Sequence, residues 1–380
     1  MIGAPSRSYL DHASTSPLRP AAAEAMWEWL SAADPGRVHT EGRMARAALE
    51  DARDRVAELF STRPRQVIFT SGATESVNAA AFGVLAGVRP GPVLMAAVEH
   101  SAVREASQRW ASEVIGVGVG RTGRIDPAEV EVALAGRPVS LVQCQLANHE
   151  VGTLQPVAEI AEMCRRHGVL IHVDAAAAAG HVPIDFDGLG VDLLSVSAHK
   201  LGGPKGTGAL LVRRGLRITP FIVGGSQERA RRAGLENLPS AVGFGAAASE
   251  LAGPGVLDRE AAAADALMER LCPAVAAIPG TELYGPPDPG RRLPHLLCAG
   301  FAGVEAEPVL IGLDRAGVAA HSGSSCSSES LEPSPVLQAM GVDGERSLRL
   351  SVGWSTTSAE VERCIEVLPG IVGRLRDLRA

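Results

Sequence analysis

Short apolar segments alternate with longer, alanine-rich segments of helical period between about residue 20 and about residue 255. The short segments predict buried strands, and the longer segments predict amphipathic helices. Because strands and helices follow one another in turn, the pattern predicts a three-layer α/β domain around a mostly parallel central sheet.

A Gly-Pro-Gly break at residues 253–255 ends this region, and residues 257–278 then show helical periodicity. The length of 380 residues also suggests two domains. We predict a large domain of residues 12–255 and a smaller α/β domain of residues 1–11 and 256–380.

Two predicted strands end in polar residues. Residues 169–174 form an apolar run that ends in Asp174, and a second run at 191–196 leads to Ser197, His199 and Lys200. In open α/β sheets, ligands bind at the carboxyl ends of the strands. We therefore expect the acid and the amine to face one cavity.

Composition also draws attention to Lys200. Lysine and arginine together number 36, yet Lys200 and Lys205 are the only two lysines. Arginine holds anions but does not lose its proton and attack a carbonyl, so a retained lysine is a candidate for a Schiff base. A composition bias that spared two lysines is the alternative, and the nearby Asp174 argues against it. Lys205 is predicted to cap the glycine-rich turn.

Pyridoxal phosphate is a cofactor that requires such a pair of residues. A lysine holds its aldehyde as an imine, and a carboxylate pairs with its protonated pyridine nitrogen. Its phosphate needs backbone N–H donors, which a strand running into Ser-Gly-Ala-Thr at 71–74 and then a helix would supply. The candidate contacts of the phosphate are Gly72, Ala73, Thr74, Ser197 and His199.

A series of motifs along almost the whole chain resembles the cysteine desulfurases, within the class V aminotransferase group of fold type I pyridoxal-phosphate enzymes. The motifs are YLDHASTSP at 9–17, TSGATES at 70–76, EH at 99–100, ANHEVGT at 147–153, HVDA at 172–175, SAHK at 197–200, GGSQER at 224–229, SGSSCSS at 322–328 with LEPS at 331–334, and LRLSVG at 348–353. The Ser-Gly-x-x-Cys segment favours the branch of the bacterial iron–sulfur and nitrogenase enzymes.

The resemblance implies the roles of three central residues. Lys200 holds the cofactor and removes the Cα proton of L-cysteine, while Asp174 pairs with the ring nitrogen. The thiolate of Cys326 attacks the sulfur of the substrate and keeps it as a persulfide, and alanine is released. The resemblance further implies a homodimer with its sites at the subunit boundary and a protein that accepts the sulfur.

Three further roles follow from the same resemblance. His100 stacks on the cofactor ring and helps to move protons, Asn148 lies near the ring hydroxyl or the substrate, and Arg349 binds the substrate carboxylate. Plain structural roles are the alternatives: a helix-start histidine for His100, a loop histidine for His199 and a strand-edge arginine for Arg349.

Cys326 differs from the other five cysteines. It lies in a polar, glycine-containing run at 322–330, whereas most of the others lie in apolar surroundings that predict small core residues. A thiol on an exposed loop can ionise and act as a nucleophile, and a buried thiol is inert. The alternative is an incidental surface cysteine.

The chain departs from the family pattern at two cofactor contacts. Ala177 stands where the family usually has a glutamine that binds the ring hydroxyl. Leu235 stands where the family has a threonine that reaches the phosphate of the partner subunit, and a leucine side chain cannot make that hydrogen bond. Gln227 stands where histidine or glutamine is usual.

Composition excludes several classes of protein. The net charge of −7 argues against a general nucleic-acid surface. The sequence has no apolar run that predicts a membrane span, no signal-peptide pattern and no cysteine spacing typical of a metal site, so we expect no metal. A cytoplasmic protein with free thiols is the simplest expectation.

Three functions remain open from the sequence. The first is a cysteine desulfurase, a transferase of sulfur. The second is a related Cys/Sec lyase or aminotransferase that uses the same cofactor without the chemistry of Cys326. The third is a non-enzymatic sulfur carrier or scaffold with a degraded site, against which the retained Asp174, Lys200 and Arg349 argue.

Overall fold

The computed structural model describes residues 7–322 and 334–378. The strands within these residues are β1 (Ser8–Tyr9), β2 (Val67–Thr70), β3 (Val93–Ala96), β4 (Val114–Val117), β5 (Leu141–Gln145), β6 (Leu170–Asp174), β7 (Leu193–Ser197), β8 (Gly208–Val212), β9 (Thr281–Tyr284), β10 (Leu296–Phe301), β11 (Val318–Ala319), β12 (His321–Ser322) and β13 (Ser347–Ser351).

The helices in the same ranges are α1 (Pro20–Glu28), α2 (Thr40–Leu59), α3 (Ala73–Ala81), α4 (Ser101–Trp110), α5 (Pro127–Gly136), α6 (Val157–His167), α7 (Phe186–Leu189), α8 (Gln227–Ala230), α9 (Leu238–Ala252), α10 (Val256–Ala276), α11 (Ala306–Arg315), α12 (Pro335–Ala339) and α13 (Ser358–Asp377). Short 3₁₀ helices lie at Pro64–Gln66, Ala198–Leu201, Pro289–Arg291 and Gly344–Arg346, and Phe82–Val88 is π-helical.

The larger sheet has the strand order β2-β8-β7-β6-β5-β3-β4 in the described part of the chain. The pairs from β7 through β6, β5 and β3 to β4 are parallel, whereas β8 runs antiparallel to both of its neighbours. With helices flanking it, this sheet confirms the predicted three-layer, mostly parallel α/β architecture.

A second sheet, in the order β12-β13-β10-β9, is antiparallel throughout its described strands. Its apolar core is formed with α10, α11 and α13, which confirms a smaller α/β unit. Strand β1 pairs in parallel with β11, so residues 8–9 join this C-terminal part of the chain. The domain boundary at residues 255 and 256 stays a prediction.

The core of the larger unit is aliphatic, in keeping with an aromatic content of only 3%. Helix α9 crosses α2 at close range because small residues meet there. A Cβ atom on Gly245 would lie 2.7 Å from the Cα atom of Ala52, so only glycine permits this approach. Alanine-rich helices therefore bury their faces by approaching closely rather than by interlocking large side chains.

A polar network crosses the buried middle of the sheet. The fully buried imidazole of His172 contacts the Gln143 amide oxygen with Nδ1 at 2.5 Å and the Ser195 hydroxyl with Nε2 at 2.7 Å. Burial lowers the pKa of His172 to about 4. The ring is therefore neutral at pH 7, with Nδ1–H donating to Gln143 and Nε2 accepting from Ser195.

This network predicts a loss of stability in mild acid. Because the pKa of His172 is about 4 when folded and near 6.5 when unfolded, the unfolded chain binds the extra proton between those values. The free energy of unfolding should fall by on the order of 3 kcal/mol through this one residue as the pH drops across that window. Denaturant titrations at several pH values would measure how steeply the free energy of unfolding depends on pH in the wild type and in His172→Gln.

His167 is the matched control for this prediction, because its ring is partly exposed and pairs with Glu131 at the surface. His167→Gln should keep the wild-type pH dependence. Parallel curves for wild type and His172→Gln would contradict the prediction.

The described helices include none with both the length and the apolar character that a bilayer crossing demands.

Five cysteines are free and buried, which confirms the prediction of core thiols for these five: Cys144, Cys164, Cys272, Cys298 and Cys364. Cys326 lies outside the described residues.

Candidate active site

A cavity of about 570 Å³ opens at the carboxyl ends of the parallel strands. It brings together nine residues that the sequence predicted for the site: Gly72, Ala73, Thr74, His100, Asp174, Ser197, His199, Lys200 and Arg349. The expectation that the acid and the amine face one cavity is therefore confirmed. Their individual roles stay predictions at this point.

Strand order explains how Asp174 and Lys200 meet. Strands β6 and β7 are parallel neighbours, with Asp174 opposite Ser195. Both strands therefore end at the same edge of the sheet. Asp174 is the last residue of β6, and its Oδ1 accepts a hydrogen bond of 2.9 Å from the backbone N–H of Ala176. Lys200 follows in the 3₁₀ turn after β7.

The turn between β2 and α3 forms the end of the cavity that suits an anion. Gly72 has φ 151° and ψ −179°, a conformation that favours glycine, and it directly precedes the helix. The first N–H groups of a helix have no partners within it and lie at the positive end of its dipole. The Glu75 carboxylate accepts from the N–H of Ser71 at 2.9 Å and pairs with Arg232 at 2.9 Å, which fixes the turn.

His199 and Lys205 line the cavity with Lys200. The Nδ1 atom of His199 lies 3.1 Å from the Thr15 hydroxyl. Burial, followed by the charges of Lys200 and Lys205, lowers the pKa of His199 to about 4, so the ring is neutral at pH 7. Lys205 is exposed and adds positive charge at the cavity, and its predicted role as a cap of the glycine-rich turn stays a prediction.

Arg349 reaches the cavity from β13 of the smaller unit. Its buried guanidinium donates from Nη1 to the carbonyl of His149 at 3.0 Å and from Nη2 to Asp11 at 3.1 Å and Ser14 at 2.6 Å. Its Nε has no hydrogen-bond partner among the described residues although it is buried. A buried donor without a partner is costly, so this edge of the guanidinium fits an anionic ligand.

His100 lies at the start of α4, where its Nδ1 accepts from the backbone N–H of Ala102 at 3.1 Å. Asn148 is fully buried and does not line the cavity. Its Oδ1 accepts from the N–H groups of Glu150 and Val151, both at 2.9 Å, and its Nδ2 donates to the Val98 carbonyl at 3.3 Å. A direct contact between Asn148 and a ligand stays a prediction.

Among the lining residues that sequence reasoning did not assign to the site are Gln145 and His149. Sequence reasoning also missed Glu99, a buried carboxyl whose Oε1 accepts from the Gln145 N–H at 2.7 Å. Burial raises the pKa of Glu99 to about 8, so this group is largely protonated at pH 7. The motif ANHEVGT contained the signal for His149, but the adjacent Asn148 was chosen.

The two departures from the family pattern lie at different places in the structure. Ala177 lines the cavity, where its methyl group offers no hydrogen bond. Leu235 is 63% exposed. It follows a segment held in left-handed backbone geometry, with φ values of 47°, 59° and 59° at residues 228–230. The Glu228 carboxylate anchors that segment through 2.6 and 2.7 Å hydrogen bonds to the buried guanidinium of Arg53.

The donor set of the cavity fits a phosphorylated carbonyl cofactor. It offers a helix N-terminus for an anion, a lysine amine, a buried carboxylate and a guanidinium with an unsatisfied edge. In the described part of the chain, no cluster of three or more His, Cys, Asp or Glu side chains could hold a metal ion.

Comparisons with known proteins agree with this chemistry. The family model described as aminotransferase class-V matches residues 8–364. Cysteine desulfurase IscS 1 of Archaeoglobus fulgidus is 38% identical over 380 residues, which cover 97% of this chain and 98% of that protein. The solved structure of a NifS-like protein from Rickettsia africae superposes with a TM-score of 0.88 at 28% identity, covering 97% of this chain and 99% of the other.

A structure of SspA in complex with cysteine superposes with a TM-score of 0.79 at 29% identity, covering 91% of this chain and 99% of that one. The matches to the family model and to the desulfurase each span nearly the whole chain. The chain belongs to the class-V aminotransferase family and, within it, to the cysteine desulfurases.

Proposed function

We propose that this protein is a pyridoxal-phosphate-dependent cysteine desulfurase that converts L-cysteine to L-alanine and leaves the sulfur as a persulfide on Cys326. The observation that carries the proposal is the convergence of Lys200, Asp174, His100 and Arg349 on one cavity. Incubation with cysteine, with alanine and protein-bound sulfur followed together, tests it. A related Cys/Sec lyase or aminotransferase would not load Cys326.

Different residues of the cavity would hold different parts of the cofactor. The N-terminus of α3 at Gly72, Ala73 and Thr74, with Ser197 and His199, would hold the phosphate. The Asp174 carboxylate would hold the proton of the pyridine nitrogen, and the Lys200 amine would hold the aldehyde. When bound, pyridoxal phosphate supplies an electrophilic carbon and a ring that withdraws electrons from the substrate.

Arg349 and Lys200 act on the amino acid itself. The unsatisfied Nε edge of Arg349 binds the carboxylate of cysteine, which orients the Cα–H bond. The Nζ atom of Lys200 accepts the Cα proton as general base. His100, whose Nδ1 is occupied by the Ala102 N–H, presents an Nε2–H when neutral and serves as a donor.

The sulfur transfer step belongs to Cys326. Its thiolate attacks the sulfur of cysteine, so that an S–S bond forms while the Cβ–S bond breaks and leaves its electron pair on carbon. That carbon takes up a proton, and alanine results. The persulfide then passes its outer sulfur to an acceptor, for which a protein thiol is the expected partner.

Replacement of Arg349 by Gln should weaken substrate binding specifically. Because a charge-assisted hydrogen bond to a carboxylate contributes about 1.5–3 kcal/mol, the KM for cysteine should rise roughly 10- to 100-fold. Steady-state kinetics with cysteine would measure the change, together with thermal melting to verify folding.

Arg346→Gln is the matched control, since Arg346 pairs with Asp343 at 3.0 Å on the exposed surface of the same region. It should leave KM unchanged. An unchanged KM in a folded Arg349→Gln variant would contradict the assignment of the carboxylate site.

A homodimer is the assembly we propose. Phe221, Val223 and Leu235 are exposed apolar residues around the left-handed segment at 228–230, and Val223 is 76% exposed. Apolar groups of this size at one surface favour burial against a second copy. Light scattering of the purified protein tests this, and a monomer that retains cofactor tightly would refute it. A cytoplasmic location stays a prediction from the sequence.

A further inference from the structure

A second imidazole, that of His149, lines the cavity beside His100. The two ring centroids lie 5.0 Å apart with the planes at 73°, an edge-to-face contact. His149 is only 6% exposed. His100 and His199 already have roles in the proposed function, whereas His149, which lines the same cavity, has none.

The surroundings of the two rings give them different hydrogen-bonding characters. His100 accepts at Nδ1 from Ala102, so its Nε2 carries the proton of the neutral ring. In His149 it is Nε2 that faces a carboxylate, 3.5 Å from Oε1 of Glu150. A proton on Nε2 of His149 would face this carboxylate, which places the charge of Glu150 beside the ring. One ring suits a donor and the other suits a base.

Glu150 is a buried carboxylate whose two oxygens face different partners, His149 and Ser334. Its Oε2 accepts a 2.5 Å hydrogen bond from the hydroxyl of Ser334, which is itself fully buried and caps α12 by accepting from the Leu337 N–H at 3.2 Å. A buried carboxylate favours a positive partner, because an unpaired charge in the interior is costly. Glu150 is thus placed to stabilise an imidazolium at His149, and Ser334 fixes its direction.

Arg349 contacts the backbone of His149. Its Nη1 donates to the backbone carbonyl of His149 at 3.0 Å, so the proposed carboxylate site directly adjoins this residue. In an α-amino acid the ammonium nitrogen is attached to the carbon next to the carboxylate. Among the described residues, the charged and titratable groups around His149 include Glu150, His100, Arg349 and the buried Glu99.

We propose that His149 is a further catalytic residue, which accepts a proton from the ammonium group of bound cysteine, with Glu150 and Ser334 as its positioning residues. An N–H bond of the ammonium breaks, an N–H bond forms on the imidazole, and the electron pair stays on the amine nitrogen. The neutral amine is the form that attacks a carbonyl carbon. This inference rests on the proposed function.

His149→Asn should show a kcat about a hundredfold lower than wild type at pH 7, with the KM for cysteine changed by less than about threefold. The deficit should narrow between pH 7 and 9, since the neutral fraction of the substrate amine rises with pH in this range. Glu150→Gln keeps an acceptor for Ser334 but loses the charge, so it should show the same pattern with a smaller loss. Ser334→Thr keeps the hydroxyl and should retain most of the rate.

His167 provides the matched control, because it pairs with Glu131 at 2.9 Å away from the cavity. His167→Asn should have wild-type kinetics at every pH. A His149→Asn variant with an unchanged kcat would overturn the role of His149 as a base. An equal loss of kcat at pH 7 and pH 9 would overturn it as well. Thermal melting of each variant separates that result from misfolding.

Histidine-selective NMR of the wild-type protein and Glu150→Gln gives a readout that does not depend on turnover. The titration midpoint of His149, assigned with His149→Asn, should fall when the charge of Glu150 is removed. An unchanged midpoint would refute the coupling. If wild type makes no alanine but the midpoint shifts, the proposed function fails while the coupling between Glu150 and His149 stands.

Discussion

Replacing Lys200 by Ala should abolish the borohydride-reducible bond between cofactor and protein and lower alanine formation roughly a thousandfold or more, because in the proposed function the same amine holds the cofactor and removes the Cα proton. Reduction with borohydride followed by peptide mapping identifies the attached lysine. Lys200 follows strand β7 and lines the cavity with Asp174, so the reducible bond should map to its peptide alone.

Lys205→Ala is the matched control, since Lys205 is the other lysine of the chain and also lines the cavity. That variant should keep the reducible bond and lose only some affinity for the cofactor, because it removes one positive charge near the phosphate turn. Labelling that maps to Lys205, or to neither lysine, would refute the assignment of Lys200.

Replacing Cys326 by Ser should separate binding from sulfur transfer. In the proposed function cysteine binding depends on Arg349 and Cα deprotonation depends on Lys200, so the variant should still give a spectral change on adding cysteine. Alanine formation should fall at least about a hundredfold, because a serine hydroxyl is far less ionised than a thiol at neutral pH. Stopped-flow absorbance and alanine quantification measure the two steps.

Cys272→Ser is a suitable control for this experiment. Burial raises the pKa of the Cys272 thiol, so it remains protonated and unreactive at neutral pH. The variant should make alanine at the wild-type rate. If Cys326→Ser instead retained near-normal alanine production, the thiol would not be the sulfur acceptor, and the protein would be a lyase.

The convergence of Asp174 and Lys200 could be predicted from sequence because each follows an apolar strand. Parallel strands present their carboxyl ends at one edge, so polar residues just beyond such strands meet. The turn between β2 and α3 could be predicted for a similar reason, because a strand, a glycine and a helix start follow one another within residues 67–76.

Long-range contacts set the parts that could not be predicted. Asn148 and His149 are neighbours in the chain. The hydrogen bonds of Asn148 to Val98, Glu150 and Val151 turn its amide into the protein, whereas His149 lines the cavity. Likewise, no local pattern reveals that Glu228 pairs with Arg53 across 175 positions. The antiparallel placement of β8 between β2 and β7 is equally a property of the assembled sheet.

The most direct test of the central claim is one incubation of the wild-type protein with sulfur-labelled L-cysteine in the absence of an acceptor. Alanine and protein-bound label should appear together, in a first turnover of one alanine per labelled site, and the label should map to the peptide that contains Cys326. Alanine formation should then resume when a thiol acceptor is added. Free sulfide without label on Cys326, or label without alanine, would contradict the account.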